Sequence, residues 1–188
     1  MRYQWTDYSP EYVSIIETFL DATARTFTGC DEGWQEYYDC LLQEPSVCFG
    51  KNFWTKIILL DGCPIAIIAL GLEDGKLTVS ELIVSPEMRK QGHGTAILRE
   101  LLRDTQEILC ASFQQAVAVI FPNNQASQRA FEKAGFIFES SHPDGDAWYY
   151  SGIIYTKKHE ENIKLQKLAI RRWLWLRKRS SVDKTQII

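Results

Sequence analysis

The chain has 188 residues, 45% of them hydrophobic and 12% aromatic, which is enough for one buried core and excludes disorder throughout. No apolar run reaches the roughly 18 residues of a membrane span, and the opening MRYQWTDYSP lacks the features of a secretory signal, so a cytoplasmic protein is expected. The net charge of −3 is uneven: ten Lys/Arg face three Asp/Glu from Lys157 onward, leaving 11 basic and 21 acidic side chains on residues 1–156. The body is therefore about −10 and the tail about +7 by formal charge. An acidic body argues against nucleic-acid binding by the domain and favours a cationic partner.

In chain order, Ser9-Pro10-Glu11 predicts a helix start, with Tyr12, Ile16, Phe19, Leu20 and Thr23 forming its inner face. A second helix is expected from Asp31 to Gln43, stopping before Pro45. Strands follow over Asn52–Leu60, Cys63–Leu70 and Lys76–Val84, joined by Asp61-Gly62 and Glu73-Asp74-Gly75 as tight antiparallel turns. The period then changes: Ile97, Leu98, Leu101, Leu102, Ile108 and Leu109 trace one stripe of a helix beginning near Gly94. A buried strand over Val117–Phe121, a helix over Asn124–Ala134 ended by Gly135, and closing strands over Phe136–Glu139 and Ala147–Tyr155 complete the domain. The expected order is β-α-α-β-β-β-α-β-α-β-β, a mixed α/β (α+β) fold on residues 1–156, with a basic amphipathic helical extension on residues 157–188.

Five cysteines (Cys30, Cys40, Cys48, Cys63, Cys110) show no CxxC pair, and an odd count fits neither a disulfide framework nor a zinc site. They read as reduced, mostly buried thiols. The three histidines sit in loops or polar contexts, so neither a thiol nucleophile nor a metal is expected.

The informative segment runs from Glu81 to Leu98: a strand, a basic glycine-containing turn, and an amphipathic helix. Such a junction aims several main-chain N–H groups and the positive end of a helix dipole at one spot, which suits a phosphate. Gly92 and Gly94 let a diphosphate approach the main chain, and Arg89 and Lys90 add positive charge. Isoleucine stands where a third dinucleotide-fold glycine belongs, and no Gly-Lys-Ser/Thr ending is present, so nicotinamide, flavin and ATP loops do not fit.

Arg89-x-x-Gly92-x-Gly94 after Leu82-x-Val84 resembles the acyl-CoA pyrophosphate loop of the GNAT superfamily, whose pattern is Arg/Gln-x-x-Gly-x-Gly/Ala. A second segment, Asn124-Gln-Ala-Ser127 through Phe131-Glu-Lys-Ala-Gly135-Phe136, resembles that family's asparagine-to-"YEKxGF" helix. Independently of the family, Asn124, Ser127 and Phe131 share one helix face; a capping asparagine and a core phenylalanine would explain the same pattern.

The resemblance implies a GNAT-like acyl-CoA N-acyltransferase fold and an acetyl-CoA-dependent N-acetyltransferase acting on a primary amine by direct attack, with no metal. It implies donor contacts from Ile83 and Val84 on a splayed strand, from Arg89, Lys90, Gln91, Gly92, His93, Gly94 and Thr95 in the loop, and from Asn124, Ser127 and Phe131. Glu81 is the expected acceptor-binding residue or proton acceptor, a role that needs a bulge in its strand; its alternative is an edge-exposed glutamate or a partner for Arg89. Many relatives carry tyrosine as the acid where this chain has Phe131, so Tyr149, Tyr150, Tyr155 or water must replace it; otherwise the chain is a catalytically weak acyl-CoA-binding sensor.

Trp34 and Tyr38, among carboxylates, are the expected substrate-binding aromatics for a small cationic acceptor, with core packing as their alternative. A peptide acceptor, protein lysine or N-terminus, is the alternative, for which an open acidic groove is expected instead of an aromatic pocket. The tail from Asn162 to Arg179 is apolar around much of its circumference. It is expected to pack on its own domain or on a second subunit as a homodimer, with an anionic membrane or nucleic acid as the alternative.

Overall fold

The computed structural model describes residues 3–28, 53–141, 145 and 147–154. One seven-stranded sheet carries them, built from β1 (Gln4–Asp7), β2 (Phe53–Leu60), β3 (Cys63–Glu73), β4 (Lys76–Val84), β5 (Gln115–Ile120), β6 (Ile137–Ser141) and β7 (Trp148–Ile153). Spatial order is β1-β2-β3-β4-β5-β7-β6, antiparallel except for β4 beside β5. The helices are α1 (Val13–Phe19), α2 (Ala22–Thr28), α3 (His93–Leu109) and α4 (Gln125–Ala134).

Local sequence explains the meander. Asp61 and Gly62 (φ 51° and 80°) join β2 to β3, and Asp74 and Gly75 (φ 48° and 76°) join β3 to β4. Two consecutive left-handed residues match the twist of a tight hairpin, and Asp-Gly tolerates them best. The α3 stripe is buried as its spacing requires, with Ile97, Leu98, Leu101, Leu102 and Leu109 all in the core.

The expected first helix is two. After the 3-10 turn Pro10–Tyr12, α1 ends at Phe19 with Leu20 as its C-cap, and Asp21 starts α2 by accepting the Ala24 N–H at 2.9 Å. Two arginines donate to carbonyls at the break, Arg25 Nε to Leu20 O (2.9 Å) and Arg89 Nη2 to Phe19 O (3.1 Å). The break turns Ala24 inward in place of Thr23, which is exposed. The second expected helix, Asp31–Gln43, lies outside the described residues, as do the tail, Cys30, Cys40 and Cys48. Cys63 and Cys110 are exposed and free, contrary to their expected burial, because one opens β3 beside a turn and the other caps α3 in a left-handed conformation.

The sheet separates two apolar clusters. On one face Leu70, Leu77, Val79 and Tyr150 pack with Leu98 and Leu101 of α3 and Phe131 of α4. On the other, Ile57, Ile67 and Ile83 pack with Ile16, Phe19 and Leu20 of α1 and the following residues, and with Ala24 of α2. Among the described residues no helix is long and apolar enough to cross a membrane.

Candidate active site

The middle of β4 departs from regular pairing. Ala69 opposes Glu81 while Leu70 opposes Val79, so Ser80 is an extra residue, a bulge. Because side chains alternate, one extra residue exchanges the two faces. Leu77 and Val79 point toward α3; beyond the bulge, Leu82 and Val84 do so, and Ile83 joins the cluster under α1 and α2. Glu81 is half-buried and shares the Ile83 face, not that of Val84.

The same point opens the sheet. The parallel ladder between β4 and β5 runs from Leu77–Ala116 to Val79–Ala118 and stops, although β4 continues to Val84 and β5 to Ile120. Residues Glu81–Val84 thus border a gap between diverging strands. Across it, Tyr149 of β7 opposes Val119 of β5, and both are exposed. Tyr149 and Glu81 stand on one sheet face, on either side of β5.

Beyond Val84 the chain makes a 3-10 turn over Pro86–Met88, then passes through left-handed Lys90 (φ 61°) and Gly92 (φ 88°) into α3. Gly92 is the N-cap of α3, and no side chain caps that end; the first main-chain bond is Ala96 N–H to Gly92 O. The amides of His93, Gly94 and Thr95 therefore lie at the start of a 17-residue helix, where its dipole favours an anion. A Cβ placed on Gly92 would meet nothing within 4 Å, so open space borders the loop.

Several side chains expected at the donor have other partners. Arg89 binds Val84 O through Nε (2.9 Å), Asp21 Oδ2 through Nη1 (2.6 Å) and Phe19 O through Nη2, tying the loop to α1 and α2 instead of adding free charge. This bond holds the Asp21 carboxyl below its ordinary range. His93 is buried rather than in a polar loop, and its Nδ1 lies 2.9 Å from the Tyr3 hydroxyl. Burial, then the nearby Glu100 carboxylate, raises the Tyr3 phenol. Gln91 braces the loop by donating to Glu87 O (2.8 Å), and Thr95 Oγ1 reaches Ala130 O of α4 (3.4 Å). Lys90 is exposed.

On α4, the Asn124 side chain caps the helix by accepting Ser127 N–H at 3.1 Å. Ser127 is half-buried, and Phe131 is core, edge-on to Phe136 with centroids 4.8 Å apart. The capping and packing alternatives thus describe Asn124 and Phe131 in this structure. Sequence reasoning missed Gln128, a buried amide that donates to Phe121 O (3.1 Å) and Pro122 O (2.8 Å) and so closes the turn after β5. Its signal was a polar residue four positions after the cap on an inward face.

Of the tyrosines considered as acids, Tyr150 is buried on the α3 face and donates to Glu132 Oε1 (3.4 Å). Burial, then Glu132, raises its phenol further. Tyr155, Trp34 and Tyr38 lie outside the described residues, so of the three tyrosines considered as acids Tyr149, one strand beyond the gap, is the described one on the Glu81 face. No group of three or more His, Cys, Asp or Glu able to hold a metal occurs among the described residues.

The family model described as the Acetyltransferase (GNAT) family matches residues 12–136. This chain belongs to the GNAT acetyltransferases. Over 95 residues it is 30% identical to the uncharacterized N-acetyltransferase YfmK of Bacillus subtilis (strain 168), a stretch that spans 50% of this chain and only 62% of that relative. The GNAT fold is shared with aminoglycoside acetyltransferase AAC(6')-Ib in complex with coenzyme A and kanamycin, at 20% identity and a TM-score of 0.64, over 87% of this chain and 99% of that one. It is shared with spermidine N-acetyltransferase from Vibrio cholerae in complex with CoA and spermine, at 11% identity and a TM-score of 0.64, over 81% and 95% of the two chains.

Proposed function

We propose that this GNAT protein transfers an acetyl group from acetyl-CoA to the primary amine of a small cationic acceptor. The observation that carries the reading is the meeting, within one strand-loop-helix unit, of a gap between β4 and β5 with an uncapped helix start. The donor fits these residues: the amides from Lys90 to Thr95 suit a diphosphate, and the main chain of Ile83 and Val84 borders the gap that suits its pantetheine arm. Acetyl-CoA supplies the activated acetyl thioester. GNAT structures that contain CoA together with kanamycin or spermine support a cationic amine as acceptor.

An ammonium cannot attack a thioester, so a proton must leave it first. Glu81 holds the ammonium by charge and accepts that proton on its carboxylate, directly or through water. Tyr149 holds a proton on its phenol oxygen for the departing thiolate, the role Phe131 cannot fill. The body's net charge of about −10 attracts a cationic acceptor and disfavours an anionic one.

The test is release of free thiol when the protein meets acetyl-CoA and a panel of amines. Turnover is expected with diamines and amino sugars, falling about 100-fold or more in Glu81→Gln, the range of lost general-base catalysis, while CoA affinity is retained. No turnover across the panel sinks the reading. The core position of Phe131 favours one second reading, a binding module: a tight acetyl-CoA complex without transfer, unchanged in Phe131→Tyr, would identify it.

A further inference from the structure

Directly paired residues of antiparallel strands point to the same face, so the side chains of β2, β3 and β4 under α1 and α2 fall into rows. The first row, Ile57–Ile67–Ile83, is aliphatic and buried. The second is Thr55–Ala69–Glu81 and the third Phe53–Gly71–Thr78. Along β3 the bulk on this face shrinks from Ile67 through Ala69 to Gly71, while the opposite face keeps Ile68 and Leu70. Over two rows the surface loses volume and gains polar atoms beside Glu81. The Phe53 ring leans on the space over Gly71, with its Cδ2 3.6 Å from a Cβ built there.

Two polar atoms in these rows are unexplained. Thr55 Oγ1 and Thr78 Oγ1 are closed to solvent and have no hydrogen-bond partner among the described residues; Thr55 as a whole is 9% exposed. Buried polar groups are nearly always paired, and each exception calls for a missing partner. Having no water to give up, these hydroxyls would gain more from a ligand than exposed ones. They belong to strands two places apart, about 10 Å across the sheet, so one small group cannot reach both.

We propose that Thr55 and Thr78 are specificity-determining residues of the acceptor site, which takes a primary amine carrying a second nitrogen or hydroxyl several bonds away. This rests on the transfer reading above and names its substrate class. Glu81, between the two threonines and next to the gap, takes the reacting ammonium by charge-assisted bonding. The hydroxyls take the remote group or the amine's own N–H, and the Phe53 ring flanks an alkyl stem or a second cation.

The experiment is calorimetry of the full chain with CoA present, titrating 1,4-diaminobutane, kanamycin and butylamine into the wild type and into Thr55→Val, Thr78→Val and the matching serine variants. Valine keeps the shape and strand preference and removes an unpaired hydroxyl, so thermal unfolding should be unchanged or higher. The expected result is at least tenfold weaker binding of diaminobutane or kanamycin in each valine variant, retained binding in the serine variants, a smaller loss for butylamine, and unaltered CoA affinity. Equal amine affinity in wild type and valine variants overturns the proposal, as does failure of the wild type to bind any of the three. If amines bind in a threonine-dependent way but no thiol is released, the acceptor site stands and transfer falls. If thiol is released equally in wild type and valine variants, transfer stands and the threonines have no part in it.

Discussion

Gly92 and Gly94, two residues apart, do different work. Gly92 adopts φ 88° at the entrance to α3, where any other residue pays a left-handed penalty of about 1–2 kcal/mol although its Cβ has open space. Gly94 has no positive φ, and a Cβ there would make ordinary contacts at 3.8 Å with Val84 and 4.0 Å with Leu82. Gly94→Ala should therefore keep both melting temperature and CoA affinity, whereas Gly92→Ala should lower both and Gly92→Glu should abolish CoA binding. Calorimetry with CoA and thermal unfolding read these outcomes, and unchanged affinity in Gly92→Glu would displace the diphosphate from this loop. The Asp21–Arg89 bond gives the loop a second dependence. A carboxyl held below its ordinary value of 3.8 contributes stability that is complete above that pH and is lost as the pH falls below it.

Among the elements, β4 matters most, because Ser80 sets which way Glu81 points. With strict alternation Glu81 would follow Leu77 and Val79 into the α3 face, where an unpaired carboxylate is costly to bury. Deleting Ser80 should sharply lower thermal stability and remove acetyl transfer, while Ser80→Ala, which keeps the residue count, should preserve both. A deletion variant that melts and turns over like wild type would show that the bulge does not orient Glu81. The sequence does not show the bulge, because Leu82, Ile83 and Val84 are all apolar and mark neither face. Only the pairing with β3 reveals that the strand absorbs an extra residue.

For the molecule as a whole, charge is the property that acts at a distance. If the acceptor is the cationic amine proposed above, a body of about −10 would draw it toward the site, and salt would screen that attraction with a Debye length near 10 Å at 0.1 M. The KM for a di- or triamine should rise several-fold between about 20 and 300 mM salt, with kcat little changed; kinetics at fixed acetyl-CoA would show it. A KM that ignores salt would mean that contacts alone recruit the acceptor.

Element order from β2 to β7, the two Asp-Gly hairpins, the α3 stripe, the glycine loop and the α4 caps follow from residues within a few positions of one another, so they are legible in sequence. Spacing and turn chemistry are local. What required tertiary structure joins distant residues: Arg89 to Asp21, His93 to Tyr3, the end of the β4–β5 ladder, and the alignment of Thr55, Ala69 and Glu81 across three strands. Strand register and the direction of a long side chain depend on everything packed around them. The single expected helix at residues 9–23 failed for the same reason, since Asp21 begins a new helix while Arg89, 68 positions later, holds the break.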